Sequence, residues 1–164
     1  MDTFSAMEER RSIRKYAPGA VPKDLIEKLV EAARYAPSAR AIQPWEFVVV
    51  THTEVLKELG RLATNGAFLE GAAFCIAVFC RETKYYLEDG CAATENILIA
   101  AAASGLGACW IAGDKKPYAS EVARLLQVPP DVRLVSLISA GWPAEEPAAI
   151  RRRGLGEVLH WEKY

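Results

Sequence analysis

The stretch Ser104-Gly105-Leu106-Gly107-Ala108-Cys109-Trp110-Ile111-Ala112-Gly113 resembles a dinucleotide-binding loop but fails as one. The third glycine of a GxGxxG fingerprint falls where Trp110 stands. The context is also reversed: this stretch follows a helical pattern and runs into a strand, whereas the fingerprint needs strand before helix. No GxxxxGK[ST] phosphate loop occurs elsewhere. The chain therefore carries no nicotinamide-nucleotide domain, and such a nucleotide must visit a site built for another group.

Working outward, the longest predicted helix runs upstream from near Tyr86 to Ser104. Its Ala/Gly side (Gly90, Ala93, Ala101, Gly105) would let another backbone approach closely. Downstream, Cys109–Ala112 is a strand, Tyr118–Leu126 a helix and Leu134–Ala140 a further strand. Toward the N-terminus, Phe47–Thr51 and Ala73–Cys80 are apolar, β-branched or aromatic runs too short to favour helices. Helices are predicted for Phe4–Arg11, for Glu54–Ala63, and after Val21-Pro22-Lys23-Asp24. The last has Leu25, Ile26, Leu29, Val30 and Ala33 as its apolar stripe. Strands apolar on both faces suit a sheet covered on both sides by helices, although strand direction is not readable from the pattern.

The 164 residues fit one domain, and 51 % hydrophobic residues suffice for a core. A net charge of −1 gives no general pull toward nucleic acid or anionic membrane, so any basic site is local. The apolar run from Ile97 to Gly113 is interrupted by Ser104, Gly105 and Gly107 and falls short of a membrane span. Cys75, Cys80, Cys91 and Cys109 form no CxxC pair, and with only His52 and His160 beside them no zinc-ligand spacing arises. Free thiols and an N-terminus without an apolar signal core point to the cytoplasm.

Three segments could carry chemistry. In Arg10-Arg11-Ser12-Ile13-Arg14-Lys15-Tyr16, guanidinium groups and a hydroxyl suit a phosphate; the plain alternative is a solvated basic face. A second basic cluster, Arg151-Arg152-Arg153, lies far along the chain, and spacing does not show that the two meet. Ala36-Pro37-Ser38-Ala39-Arg40-Ala41-Ile42-Gln43-Pro44-Trp45 is a proline-bounded loop that offers backbone groups, Ser38 and Gln43 to a ligand. No GxSxG or histidine-linked nucleophile is present, and Glu88, Asp89 and Glu95 fall on a helix, where structural roles are commoner. Without a catalytic side-chain set, the hard chemistry falls to a cofactor.

In order and spacing these segments resemble the nitroreductase family of flavoproteins over nearly the whole chain. They are Arg10-Arg11-Ser12-Ile13-Arg14; Ala36-Pro37-Ser38 with Gln43-Pro44-Trp45; Glu88-Asp89-Gly90 with Asn96; Gly105 to Ile111; Gly141-Trp142-Pro143; and Arg152-Arg153-Gly154-Leu155 with His160-Trp161. The resemblance implies an α+β fold with a mainly antiparallel central sheet flanked by helices. It also implies an intertwined homodimer with two flavin mononucleotide (FMN) sites at the interface, and the apolar tail of about 150–164 on the partner. Arg10, Arg11, Ser12 and Arg14 would hold FMN from one chain, with Arg14 tuning the ring. Pro37, Ser38, Ala39 and Gln43 would come from the loop segment, the first three from the partner chain. Trp110, Ile111 and Ala112 would lie along the ring, and Arg152 or Arg153 would close on the phosphate. NADH or NADPH would deliver hydride to the flavin, and a nitroaromatic, quinone or related small-molecule acceptor would take it up by a ping-pong mechanism. No metal, nucleic-acid or membrane partner is implied.

Two departures stand out. The family loop commonly has Asn where Ala41 stands, and the usual proline after the terminal basic pair is Gly154. The first leaves open a second reading, a flavin-binding carrier or sensor with little turnover.

Overall fold

The computed structural model describes residues 1–147 and 149–164. Its strands are β1 (Trp45–Val50), β2 (Phe74–Arg81), β3 (Gly107–Ala112) and β4 (Val132–Gly141), joined in the order β1-β2-β4-β3 with every pairing antiparallel. The helices are α1 (Thr3–Glu9), α2 (Lys23–Arg34), α3 (Thr53–Leu62), α4 (Tyr86–Ala103) and α5 (Ala119–Leu125).

The doubly apolar strands do what their composition implies. Phe74, Ile76, Val78 and Cys80 of β2 face one core with Ile26, Leu29 and Ala33 of α2 and Ala93, Ile97 and Ala101 of α4. The alternate residues Cys75, Ala77 and Phe79 face a second core with Leu56 and Leu59 of α3 and Val122 of α5. Because side chains alternate along a strand, a central strand with helices on both faces has no polar side to spare. Each large aliphatic or aromatic side chain buried this way contributes about 1.5–3 kcal/mol. Among the described residues, no helix is long and apolar enough to cross a membrane.

The register between β2 and β4 slips at Val78/Phe79, where Leu134 rather than Val135 pairs with Phe79. This β-bulge adds Val135 to the face under α4, beside Ser136, whose hydroxyl shares a 2.8 Å hydrogen bond with Thr94. The expected close approach to the small side of α4 is thus made by the chain's own β4. A Cβ on Gly90 would stand 2.7 Å from Val135 Cγ2 and 3.0 Å from Cys80 Sγ. Gly105 departs from that stripe, being an exposed turn residue at φ +74° after the helix.

Several expected boundaries shift, including the start of β1, now Trp45, and of β4, now Val132; two shifts bear on the site. The first helix stops at Glu9 because Arg10 turns extended at φ −52°, ψ 126°, so Arg10 and Arg11 lie beyond the helix. The β3 strand begins two residues earlier than expected, at Gly107, because pairing to Gly141 and Ala140 recruits Gly107 and Ala108. The tail from 149 to 164 is exposed throughout, including Ile150, Leu155 and Trp161, with only a short 3-10 turn at Leu155–Glu157.

Replacing Gly90 by alanine should destabilise the fold by about 1–3 kcal/mol, because overpacking outweighs the roughly 1 kcal/mol that alanine gains in a helix. Urea unfolding checks this, with Gly71→Ala, whose Cβ would meet nothing within 4 Å, as the neutral control.

Candidate functional site

The segment after α1 docks on the outer edge of the sheet. Ile13 N–H donates to the Ala108 carbonyl at 3.0 Å, and Ser12 forms a parallel bridge with Ala108. Beyond it, Tyr16 bridges Pro143 and its hydroxyl meets Ser139 Oγ at 2.7 Å and the Ile13 carbonyl at 2.6 Å. Burial of this phenol, the largest effect on it, pushes its pKa up. Glu145 fixes the next turn, its Oε1 accepting the Arg14 and Lys15 N–H groups at 2.6 and 3.1 Å. These backbone bonds hold its carboxyl below the usual range.

The edge docking ends at Ala108, and the rest of β3 has an open outer edge. Since Ala108 turns its carbonyl outward to Ile13, the two-residue alternation of a strand also turns the N–H and C=O groups of Trp110 and Ala112 away from β4. The Ala112 carbonyl is taken by the Tyr118 hydroxyl. A cleft of about 400 Å³ opens here, lined by Arg14, Cys109, Trp110, Ile111 and Ala112. Thr64, Asn65 and Phe68, from the segment between α3 and β2, form another wall, and Lys116, Pro117 and Tyr118 close the end. The Arg14 guanidinium lies 5.7 Å from the centre of the Phe68 ring. Among the described residues, no carboxylate or histidine lines the cleft, and neither Arg14 nor Lys116 forms an ion pair.

The predicted residues divide among several places. Arg14, Trp110, Ile111 and Ala112 meet in this cleft. Arg10 and Arg11 border a separate groove beside α4, where Arg10 pairs with Glu95 at 3.7 Å and Arg11 donates back to the carbonyls of Glu8 and Arg10. Ser12 stands between the two on the edge bridge. Pro37, Ser38, Ala39 and Gln43 sit in the loop before β1, at the opposite edge of the sheet from β3. Arg152 and Arg153 are exposed in the tail, without an ion pair among the described residues. The sequence reading missed Thr64, Asn65, Phe68, Lys116 and Tyr118, which belong to no motif and reach the cleft only through the fold.

The loop at residues 38–43 has an unusual backbone. Arg40, Ala41 and Gln43 adopt φ of 57°, 54° and 52°, the left-handed region that non-glycine residues avoid. Ser38 Oγ accepts the Gln43 N–H at 2.7 Å, closing the loop on itself. A left-handed backbone suits Asn better than the Ala41 that stands here.

A larger hollow, of about 540 Å³, lies between α5 and the start of β4 but contains none of the predicted residues. Its cations Lys115, Arg124 and Arg133 are matched by Asp114, Glu121 and Glu82 at 4.0, 3.9 and 2.8 Å. The thiols are poor candidates for chemistry: burial pushes Cys75 and Cys80 up to about 12 and raises Cys109 as well, against the opposing pull of Arg14. Among the described residues, no three His, Cys, Asp or Glu side chains gather as a metal site.

The nitroreductase family profile matches residues 7–84 and 64–142. The chain belongs to the nitroreductase family. A Methanothermobacter thermautotrophicus protein, provisionally named an NADH dehydrogenase/NAD(P)H nitroreductase, is 37 % identical over all of this chain and 88 % of its own length. An NADPH-flavin oxidoreductase of Vibrio harveyi is 28 % identical over 99 % of this chain and 75 % of its own. Among solved structures, an FMN-dependent nitroreductase of Clostridium difficile superposes with a TM-score of 0.92 at 30 % identity, covering 98 % of this chain and 99 % of that one. This nitroreductase-family chain therefore has the family fold, with the antiparallel sheet expected of it.

Ala41→Gly should stabilise the protein by about 0.5–1 kcal/mol, as relief of the left-handed alanine exceeds the entropy gained by the unfolded chain. Ala41→Val should lower stability. Paired urea titrations decide both signs.

Proposed function

We propose that residues 1–164 form a single FMN-binding domain of an oxidoreductase. It passes hydride from NADH or NADPH to a nitroaromatic, quinone or related acceptor, as a homodimer in the cytoplasm. The observation that carries this reading is the cleft at the open half of β3, where Arg14 faces the outward-turned amides of Trp110 and Ala112. Its volume of about 400 Å³ falls within the range of cofactor pockets.

The donor set fits a flavin. A fused heterocycle needs a flat apolar wall, donors along one edge and positive charge where its electron density rises. Ile111 and Phe68, which share one face of the sheet, supply the wall, the strand amides of Trp110 and Ala112 the donors, and Arg14 the charge. Bound FMN supplies hydride acceptance and donation, which the cleft's own side chains do not offer. The chain's residues bind and orient, and Thr64 and Asn65 add neutral hydrogen-bonding groups at the rim. With no nucleotide domain in the sequence, donor and acceptor would occupy the same cleft in turn, the arrangement of a ping-pong enzyme.

Geometry and surface both support a dimer. The Pro37–Gln43 loop belongs to the sheet edge opposite β3, so this chain's own loop and its Arg14 do not meet in one cleft. A second copy would bring the loop to the cofactor, and Arg152 and Arg153 would reach the phosphate from the tail. Arg10, Arg11 and Ser12 would turn toward the same phosphate, the Arg10–Glu95 pair being weak enough at 3.7 Å to yield. Exposed Phe4, Leu155 and Trp161 need the cover that such a partner gives. The four unpaired thiols suit a reducing compartment.

Purified protein should be yellow, bleach anaerobically with NADH or NADPH, and recover its colour with nitroaromatic or quinone. Protein that never binds flavin refutes the reading, and bound flavin reduced too slowly for turnover favours the carrier or sensor. Arg14→Ala should weaken FMN binding by roughly 10- to 100-fold, the value of a charge-assisted contact, as read by flavin fluorescence titration.

A further inference from the structure

We propose that Asp89 is a positioning residue that holds the Pro37–Gln43 loop in the shape that meets the cofactor; this rests on the flavin reading above. Asp89 lies in the first turn of α4, and only 5 % of its surface is exposed. Its Oδ1 accepts the Ala39 N–H at 3.0 Å, across 50 positions of sequence. Its Oδ2 is sealed from solvent and has no hydrogen-bond partner among the described residues. Burying a carboxylate with half its acceptors empty is costly, so the position is occupied against a penalty. Helix formation does not account for it, because exposed Glu88 already supplies an acidic group to the same turn.

The loop needs an external hold. Three non-glycine residues in the left-handed region, Arg40, Ala41 and Gln43, would relax if released. The Ser38 Oγ bond to Gln43 N–H and the Ala41 N–H bond to the Ser38 carbonyl lie within the loop and move with it. Among the described residues, the Ala39–Asp89 bond is the hydrogen bond that ties residues 38–43 to the rest of the fold. It anchors them to α4, an 18-residue helix packed on the sheet core. A loop held this way presents its backbone to a ligand without first losing conformational freedom, so the hold raises cofactor affinity and leaves the chemistry unchanged. In the proposed dimer, Asp89 of one chain would serve the flavin held by Arg14 of the other.

The test is FMN titration of the apoprotein for three variants, with amide hydrogen exchange at residues 39–43 as a readout independent of flavin. Asp89→Ala removes the acceptor. Ala39→Pro removes the donor with Asp89 left in place, and it is feasible because Ser38 at φ −136°, ψ 139° already has the extended shape that a following proline demands. Both should raise the FMN Kd about 10-fold or more and speed exchange in the loop. Asp89→Asn keeps an accepting oxygen and should stay within about threefold of the parent protein. With FMN saturating, turnover of Asp89→Ala and Asp89→Asn should return to near the parent value. If Asp89→Ala does not fold, the contrast between Ala39→Pro and Asp89→Asn decides. An unchanged Kd in Ala39→Pro, or equal losses in Asp89→Asn and Asp89→Ala, overturns the proposal. Parent protein without FMN affinity defeats the flavin reading instead, and loop exchange then judges the hold: unchanged exchange overturns that too.

Discussion

One backbone hydrogen bond, from Ile13 N–H to the Ala108 carbonyl, divides β3 into a covered half and an open half. It ties the Arg10–Tyr16 segment to the edge of β3 that pairing with β4 leaves facing outward. It also requires the glycine beneath it, since a Cβ on Gly107 would lie 2.6 Å from Ile13 Cγ2. A bulkier residue there would push the segment outward and carry Arg14 away from the cleft. The glycine that spoils no dinucleotide motif, because there is none to spoil, therefore has a different task. It lets one piece of chain lie flat against a strand edge so that the next piece of the strand stays available.

An available strand edge is usually a liability, because unpaired N–H and C=O groups invite another strand. Here the second half of β3 is short, its Ala112 carbonyl is capped by Tyr118, and a wall from the segment after α3 stands in front of it. What remains is a pair of strand N–H donors beside Arg14, which the proposed site would turn toward a flat ring. The proposed binding site thus rests on a small part of the sheet left unfinished, between the cores on its two faces.

Much of this was legible in the sequence. Ala73–Cys80 announces a buried strand because every position is apolar, and two-sided burial follows directly. The ordered motifs carry the fold and the family. Strand direction came only with the resemblance, since alternation is the same in parallel and antiparallel sheets. Thr64, Asn65 and Phe68 were invisible because their approach to Arg14 depends on a segment with no periodicity and a 3-10 stretch at Ala67–Gly71. The left-handed backbone at Arg40, Ala41 and Gln43 was hidden for a different reason: the residues that announce such geometry, glycine or asparagine, are absent.

That last absence connects the two halves of the proposed site. Where a glycine takes a left-handed shape at no steric cost, Ala41 does so only under constraint. The constraint must come from contacts, and the contact that reaches outside the loop ends on a carboxylate buried with an empty oxygen. Two unfavourable features, a strained backbone and a half-satisfied buried carboxyl group, face each other across one hydrogen bond. Neither is explained by stability, since an exposed Asp89 and a relaxed loop would each lower the free energy of the isolated chain. In the proposed dimer, strain held at this loop would be offset when the cofactor binds between the two chains.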